Sequence, residues 1–126
     1  MKKFFILTNN PMVRDRYYKE FEVQYFSVDL LGILKYARDK IHLGYKLGTH
    51  PLSGSVKPNE TPYKSIIMCY GDALDLDSLS IIENSIMTAE KFLKGKRPCK
   101  WNESVLKDFQ IIDLSLMNSA IKDNLF

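Results

Sequence analysis

Thr49-His50-Pro51-Leu52-Ser53-Gly54-Ser55-Val56-Lys57-Pro58-Asn59-Glu60-Thr61-Pro62-Tyr63 breaks the pattern of the sequence on either side of it. Its three prolines and its glycine exclude a helix, and each residue before a proline is pushed toward extended backbone. Counted from Gly44, the irregular stretch runs for about twenty residues, a length that in a compact domain marks a working or a disordered segment. Stiff prolines and the candidate caps Thr49, Ser53, Asn59 and Thr61 lower the entropy lost on ordering, which favours a working segment. The side chains of His50, Ser53, Ser55, Lys57, Asn59 and Tyr63, with Gly54 between the serines, suit an anionic or polar partner.

Outward from this stretch, strand and helix patterns alternate. Residues 3–7 form an apolar run of the kind buried on both faces of a sheet. Asn9 or Asn10 offers an N-cap and Pro11 a first helical residue, and Val13, Tyr17 and Phe21 supply an apolar stripe. Residues 23–28 predict a second strand, and Asp29 caps a helix whose Leu30, Leu34, Ala37 and Ile41 share one face up to Gly44 at C′. Beyond the irregular stretch, residues 64–70 read as a third strand. Ser78 is expected to cap a helix striped by Leu79, Ile82, Ile86, Ala89 and Leu93, with Gly95 and Pro98 ending it. In the tail, a short edge strand over 109–112 followed by a helix capped at Asp113 is slightly favoured over one helix from about Ser104. The alternation implies one α/β domain over 1–126. It would be a small three-layer α-β-α sandwich, with a mainly parallel sheet of three or four strands and a long irregular loop before the third strand.

In such a sheet ligands sit beyond the carboxyl ends of the strands, here marked by Thr8, Asn9, Asn10, Asp29, Gly71, Asp72 and, after the edge strand over 109–112, Asp113. Adjacent Asn9 and Asn10 exceed what one cap needs, so a spare carboxamide is a candidate ligand contact at the helix N-terminus. The ligand-binding candidates are therefore Asn9, Asn10, His50, Ser53, Gly54, Ser55, Lys57, Asn59 and Tyr63. One difficulty follows from parallel topology. A loop joining a helix end to a strand start is anchored at the rim opposite those carboxyl ends, although its reach of roughly 50 Å would let it fold back.

Catalytic signals are thin, and no catalytic residue is assigned. His50 with Ser53 at i+3 is a base and nucleophile lacking a third orienting group. His42, His50, Cys69 and Cys99 lack the paired spacing of a metal site, and the two cysteines resemble neither a disulfide framework nor a redox dithiol, so no metal or cofactor is expected. The net charge of +3 is too small and too dispersed to point to nucleic acid. The apolar opening stops at Thr8, short of a signal peptide, and no segment reaches membrane-spanning length, so a cytoplasmic location without membrane contact is expected.

The run from Thr49 to Ser65, together with the opening Leu7-Thr8-Asn9-Asn10-Pro11, resembles the GrdX family, small proteins encoded beside the glycine, sarcosine and betaine reductase genes of amino-acid-fermenting anaerobes. The likeness extends from the first strand to the helix after Ser78. It implies an accessory or regulatory binding protein of that reductase system, partnered by a component of the reductase complex or by a small anionic ligand. It carries no assigned activity and no catalytic residues. The alternative is a small enzyme acting on an anionic acyl or phosphoryl metabolite, and a loop that builds a homodimer is a third reading.

Overall fold

A computed structural model describes residues 3–52, 62–94 and 101–125. They form β1 (Phe4–Thr8), α1 (Pro11–Tyr17), β2 (Val23–Tyr25), α2 (Leu30–His42), β3 (Lys46–Leu47), β4 (Ser65–Cys69), α3 (Leu76–Leu93) and α4 (Glu103–Leu125). The first half follows its local signals. Asn10 caps α1 with extended backbone, its side chain accepting from the Met12 amide, and Pro11 occupies the first turn. Asp29 caps α2 by accepting from the Gly32 amide at 2.8 Å. Gly44, at φ 105°, ends that helix in a conformation costly for any side chain.

The sheet is mixed, with strand order β2-β1-β4-β3. β1 and β2 are parallel, pairing Leu7 with Gln24. β4 runs antiparallel to β1, with Phe4 facing Cys69 and Thr8 facing Ser65, and β3 is antiparallel to β4. The expected mainly parallel sheet is therefore corrected. The strand that resumes the direction of β1 after α2 is β3, cut to two residues, and the apolar run expected as the third parallel strand is the returning one. Its sequence reads the same in either direction because Ile66, Ile67 and Met68 are buried whichever face they meet.

Alternate residues of the central strands feed two apolar clusters. Phe5, Leu7, Ile66 and Met68 pack with Ile33, Leu34, Ala37 and Ile41 of α2 and with Ile82, Ile86 and Ala89 of α3. Ile6 and Ile67 pack with Val13 and Tyr17 of α1 and with Met117 and Ile121 of α4. Each fully buried aliphatic side chain contributes about 1.5–3 kcal/mol, so this double-sided burial dominates the fold. Cys69 is half-buried against the second cluster, as a small apolar side chain would be.

Two helix starts differ from expectation. Asp75, not Ser78, caps α3: its Oδ2 accepts from the Ser78 amide at 3.0 Å and from the Ser78 hydroxyl at 2.6 Å. The Ser78 oxygen in turn accepts from the Leu47 amide at 3.0 Å, tying α3 to β3. The tail is one helix, α4, with Asn102 accepting from the Val105 amide, so neither an edge strand over 109–112 nor a cap at Asp113 forms. Gly95 and Pro98 lie outside the described residues, next to the end of α3 at Leu93. Among the described residues, no helix is long and apolar enough to cross a membrane.

Candidate functional site

Reversal of β4 removes the difficulty posed by a parallel sheet. Because β4 opposes β1, its first residue, Ser65, pairs with Thr8, the last residue of β1. β3 also leaves toward this rim. Past it, the Gly48 amide donates to the Ile67 carbonyl at 2.6 Å and the Ile67 amide to Thr49 Oγ1 at 3.0 Å. A Cβ on Gly48 would lie 2.7 Å from Ile67 Cγ2, so only glycine allows this approach. Both ends of the stretch over 48–64 are thus anchored at the carboxyl rim of β1 and β2.

Asn9 and Asn10 hold this rim together. The Asn9 carboxamide donates to the carbonyls of Val28 at 2.9 Å and Pro62 at 3.0 Å, and accepts from the Lys64 amide at 2.8 Å. It therefore clips the exit of β2 to the entry of β4. The Asn10 carboxamide caps α1 and also donates to Gln110 O and to Asp113 Oδ2, both at 3.0 Å, so it clasps α4. Both donors of each carboxamide are engaged inside the protein, and the second asparagine thereby serves α4.

Asp113 is buried in the middle of α4. One carboxylate oxygen accepts from the Ser65 amide at 3.1 Å; the other accepts from Asn10 and from the Ser65 hydroxyl at 2.7 Å. Since the Ser65 proton points to Asp113, the 2.6 Å contact between Thr8 and Ser65 has the Thr8 hydroxyl as donor. Thr8 Oγ1 then accepts from the Asn10 amide at 2.9 Å. Beside this chain lies Lys64, only 5% exposed. Burial pushes its ammonium pKa below the ordinary value, and the charge of Asp113 partly offsets that fall.

Among the described residues, two cavities open at the rim. The larger, about 370 Å³, is lined by Asn9, Tyr25, Ser27, Asp29, Pro62 and Tyr63 among others. It lies outside the carboxyl ends of the parallel pair β1 and β2, where such sheets take ligands. The Arg14 guanidinium stands over the Tyr25 ring at 4.5 Å, and the Tyr63 hydroxyl accepts from Gln110 Nε2 at 3.0 Å, which fixes both aromatic walls. The smaller cavity, about 100 Å³, is lined by Thr49, Lys64, Ser65, Asp113, Leu116 and Met117 among others.

Of the residues singled out in the sequence, Asn9 and Tyr63 line the larger cavity, and Asn10 lies behind it in the clasp to α4. His50 lines neither cavity; its Nδ1 accepts from the Leu52 amide at 3.1 Å, which places the proton of the neutral ring on Nε2. Ser53, Gly54, Ser55, Lys57 and Asn59 lie outside the described residues, and with Ser53 so does half of the His50 and Ser53 pair. Cys99, one of the four soft donors, lies outside them too. Among the described residues no group of three or more His, Cys, Asp or Glu is placed to hold a metal ion.

The sequence reading missed the site roles of Lys64, Ser65, Tyr25 and Ser27, and it read Asp113 as a cap. An aspartate between Ile111-Ile112 and Leu114 was the available signal, since a charge inside an apolar run is buried only with partners.

A family model described as GrdX-like protein matches residues 5–122. No curated protein and no solved structure matches the chain.

Proposed function

The chain belongs to the GrdX-like family, and from that premise we propose that it is an accessory or regulatory binding protein of the glycine, sarcosine and betaine reductase system. Its binding site in this reading is the larger rim cavity, to which Pro62 and Tyr63 contribute, with the 49–63 segment as the partner surface. The observation that carries the proposal is that cavity. It measures about 370 Å³ and is lined by two anchored tyrosines and by Asn9, which clips Val28 to Pro62. This volume falls at the small end of the usual range for ligand sites, about 300–1,000 Å³, and suits a metabolite of amino-acid size.

Binding is favoured over catalysis because the polar side chains of the rim satisfy one another. The Asn9 and Asn10 carboxamides and the Asp113 carboxylate all face protein partners. They make a rigid frame, which is what a selective binding site needs.

Thermal-shift measurements would compare wild type with Ser27→Trp, in which an indole fills the cavity from an exposed position. The panel holds small zwitterionic amino acids, phosphorylated metabolites and acylated metabolites. Wild type is expected to gain stability with one class and Ser27→Trp with none. A parallel pull-down from cells growing on glycine is expected to recover a reductase component. Absence of both a ligand shift and a reductase component overturns the reading.

A further inference from the structure

We propose that the smaller cavity is a covalent site for a neutral aldehyde of about two or three carbons, held as a Schiff base on Lys64. This inference stands on a different part of the rim from the function proposed above and does not depend on it.

The geometry supplies the parts. Lys64 is 5% exposed and lines a cavity of about 100 Å³ together with Ser65 and Asp113. Asp113 lines the same cavity, and its charge acts on the Lys64 ammonium. A water molecule claims about 30 Å³ of liquid, so the cavity has room for roughly three heavy atoms. Leu116 and Met117 supply apolar walls that suit a short carbon chain. The carboxylate of Asp113 already places a negative charge here, which disfavours an α-keto acid and leaves a neutral aldehyde. Burial also lowers the Lys64 pKa, and a desolvated lysine is the usual carrier of carbonyl chemistry.

The step balances without an oxidant or reductant. The lysine nitrogen attacks the carbonyl carbon, forming a C–N bond and a carbinolamine. The C–O bond then breaks, and the oxygen leaves as water with the two protons that the nitrogen gives up. The hydroxyl of Ser65, hydrogen-bonded to Asp113 at 2.7 Å, lines the same cavity and offers a path for these protons.

Wild-type protein would be treated with acetaldehyde and cyanoborohydride, which reduces an imine to a stable N-ethyl lysine, and the modified positions mapped by peptide mass spectrometry. Lys64 is expected to be ethylated ahead of the exposed Lys19 and Lys35, by about tenfold for each unit by which its pKa falls. Leu116→Trp, which fills the cavity from a half-exposed helix position, is expected to suppress ethylation at Lys64 and leave Lys19 unchanged. Modification that simply follows exposure, with Lys64 the least labelled lysine, overturns the proposal. So does unaltered labelling of Lys64 in folded Leu116→Trp. Glyoxylate trapped at Lys64 as fast as acetaldehyde overturns the neutral-ligand assignment.

Discussion

The two rims of the sheet invert the usual placement of residues. At the carboxyl rim of β1, Thr8, Asn9, Asn10, Lys64, Ser65 and Asp113 are all buried although all are polar or charged. At the other rim, Leu43 is 72% exposed and Leu76 71%, with Tyr70 and Leu74 also open to solvent. An exposed leucine costs little and is common on protein surfaces. A buried amide, hydroxyl or charge costs several kcal/mol unless a partner is held in the right place. The polar rim can persist only as a complete network, whereas the apolar rim tolerates loose geometry. The inverted placement therefore marks where shape is specified, and the two cavities lined by described residues open at the specified rim.

This contrast predicts unequal consequences of substitution. The largest effect is expected at Asp113. Asp113→Ala removes the acceptor for the Ser65 amide, the Ser65 hydroxyl and Asn10 Nδ2, and takes away a charge that acts on buried Lys64. Breaking a buried charged network from one side costs about 3–5 kcal/mol, readable as a shift in denaturant midpoint. A loss under about 1 kcal/mol would break the comparison, because Asp113 would then be no better than a surface group. Asn9→Ala comes next, at about 2–3 kcal/mol for the three bonds to Val28, Pro62 and Lys64. It is also expected to speed hydrogen exchange at the Lys64 amide more than at Ile33 in α2.

The same contrast explains which parts could be read from sequence. Asn10-Pro11, Asp29 and Gly44 announce helix ends because the groups they serve lie within a few residues. The direction of β4 left no such trace, since a run apolar on both faces looks identical from either end. Asp113 was misread for a related reason. Aspartate is a poor residue for a helix interior, so local propensity favours a cap after a strand. Its true partners, Ser65 and Asn10, are 48 and 103 residues away. The exposed Ile111 and Ile112 further blur any apolar stripe on α4. The surplus of adjacent carboxamides was visible, but not that one would clip the entry of β4 and the other hold α4.

A smaller effect follows from the buried lysine. Burial holds the folded-state pKa of Lys64 below the 10.5 of an exposed lysine. Between the two values the folded state carries fewer protons than the unfolded one, so stability rises with pH across that window. The stability of wild type relative to Lys64→Met is therefore expected to improve as pH rises toward 10.5, measured by urea unfolding at each pH. A flat or falling difference would place Lys64 in water and remove it from the specified rim.

The smallest effects belong to the apolar rim. Leu76→Ser is expected to stay within about 0.5 kcal/mol of wild type. Tyr70 sharpens the point because its interaction is easy to detect and weak in stability. Its hydroxyl donates to Glu22, and this hydrogen bond pushes the phenol pKa up to about 12 while lowering that of Glu22. A raised folded-state pKa gives a contribution that is complete below the unfolded value of 10.0 and fades as pH climbs toward about 12. The pair is largely exposed, so solvent screens it and little stability accompanies the shift. Ultraviolet titration of wild type should show a tyrosine step near pH 12, and Tyr70→Phe should reduce that late absorbance by one tyrosine, leaving the burial-raised Tyr17 in place, while the urea midpoint barely moves. If Tyr70→Phe shifts the midpoint as far as Asn9→Ala does, this rim is as tightly specified as the other, and the asymmetry between them disappears.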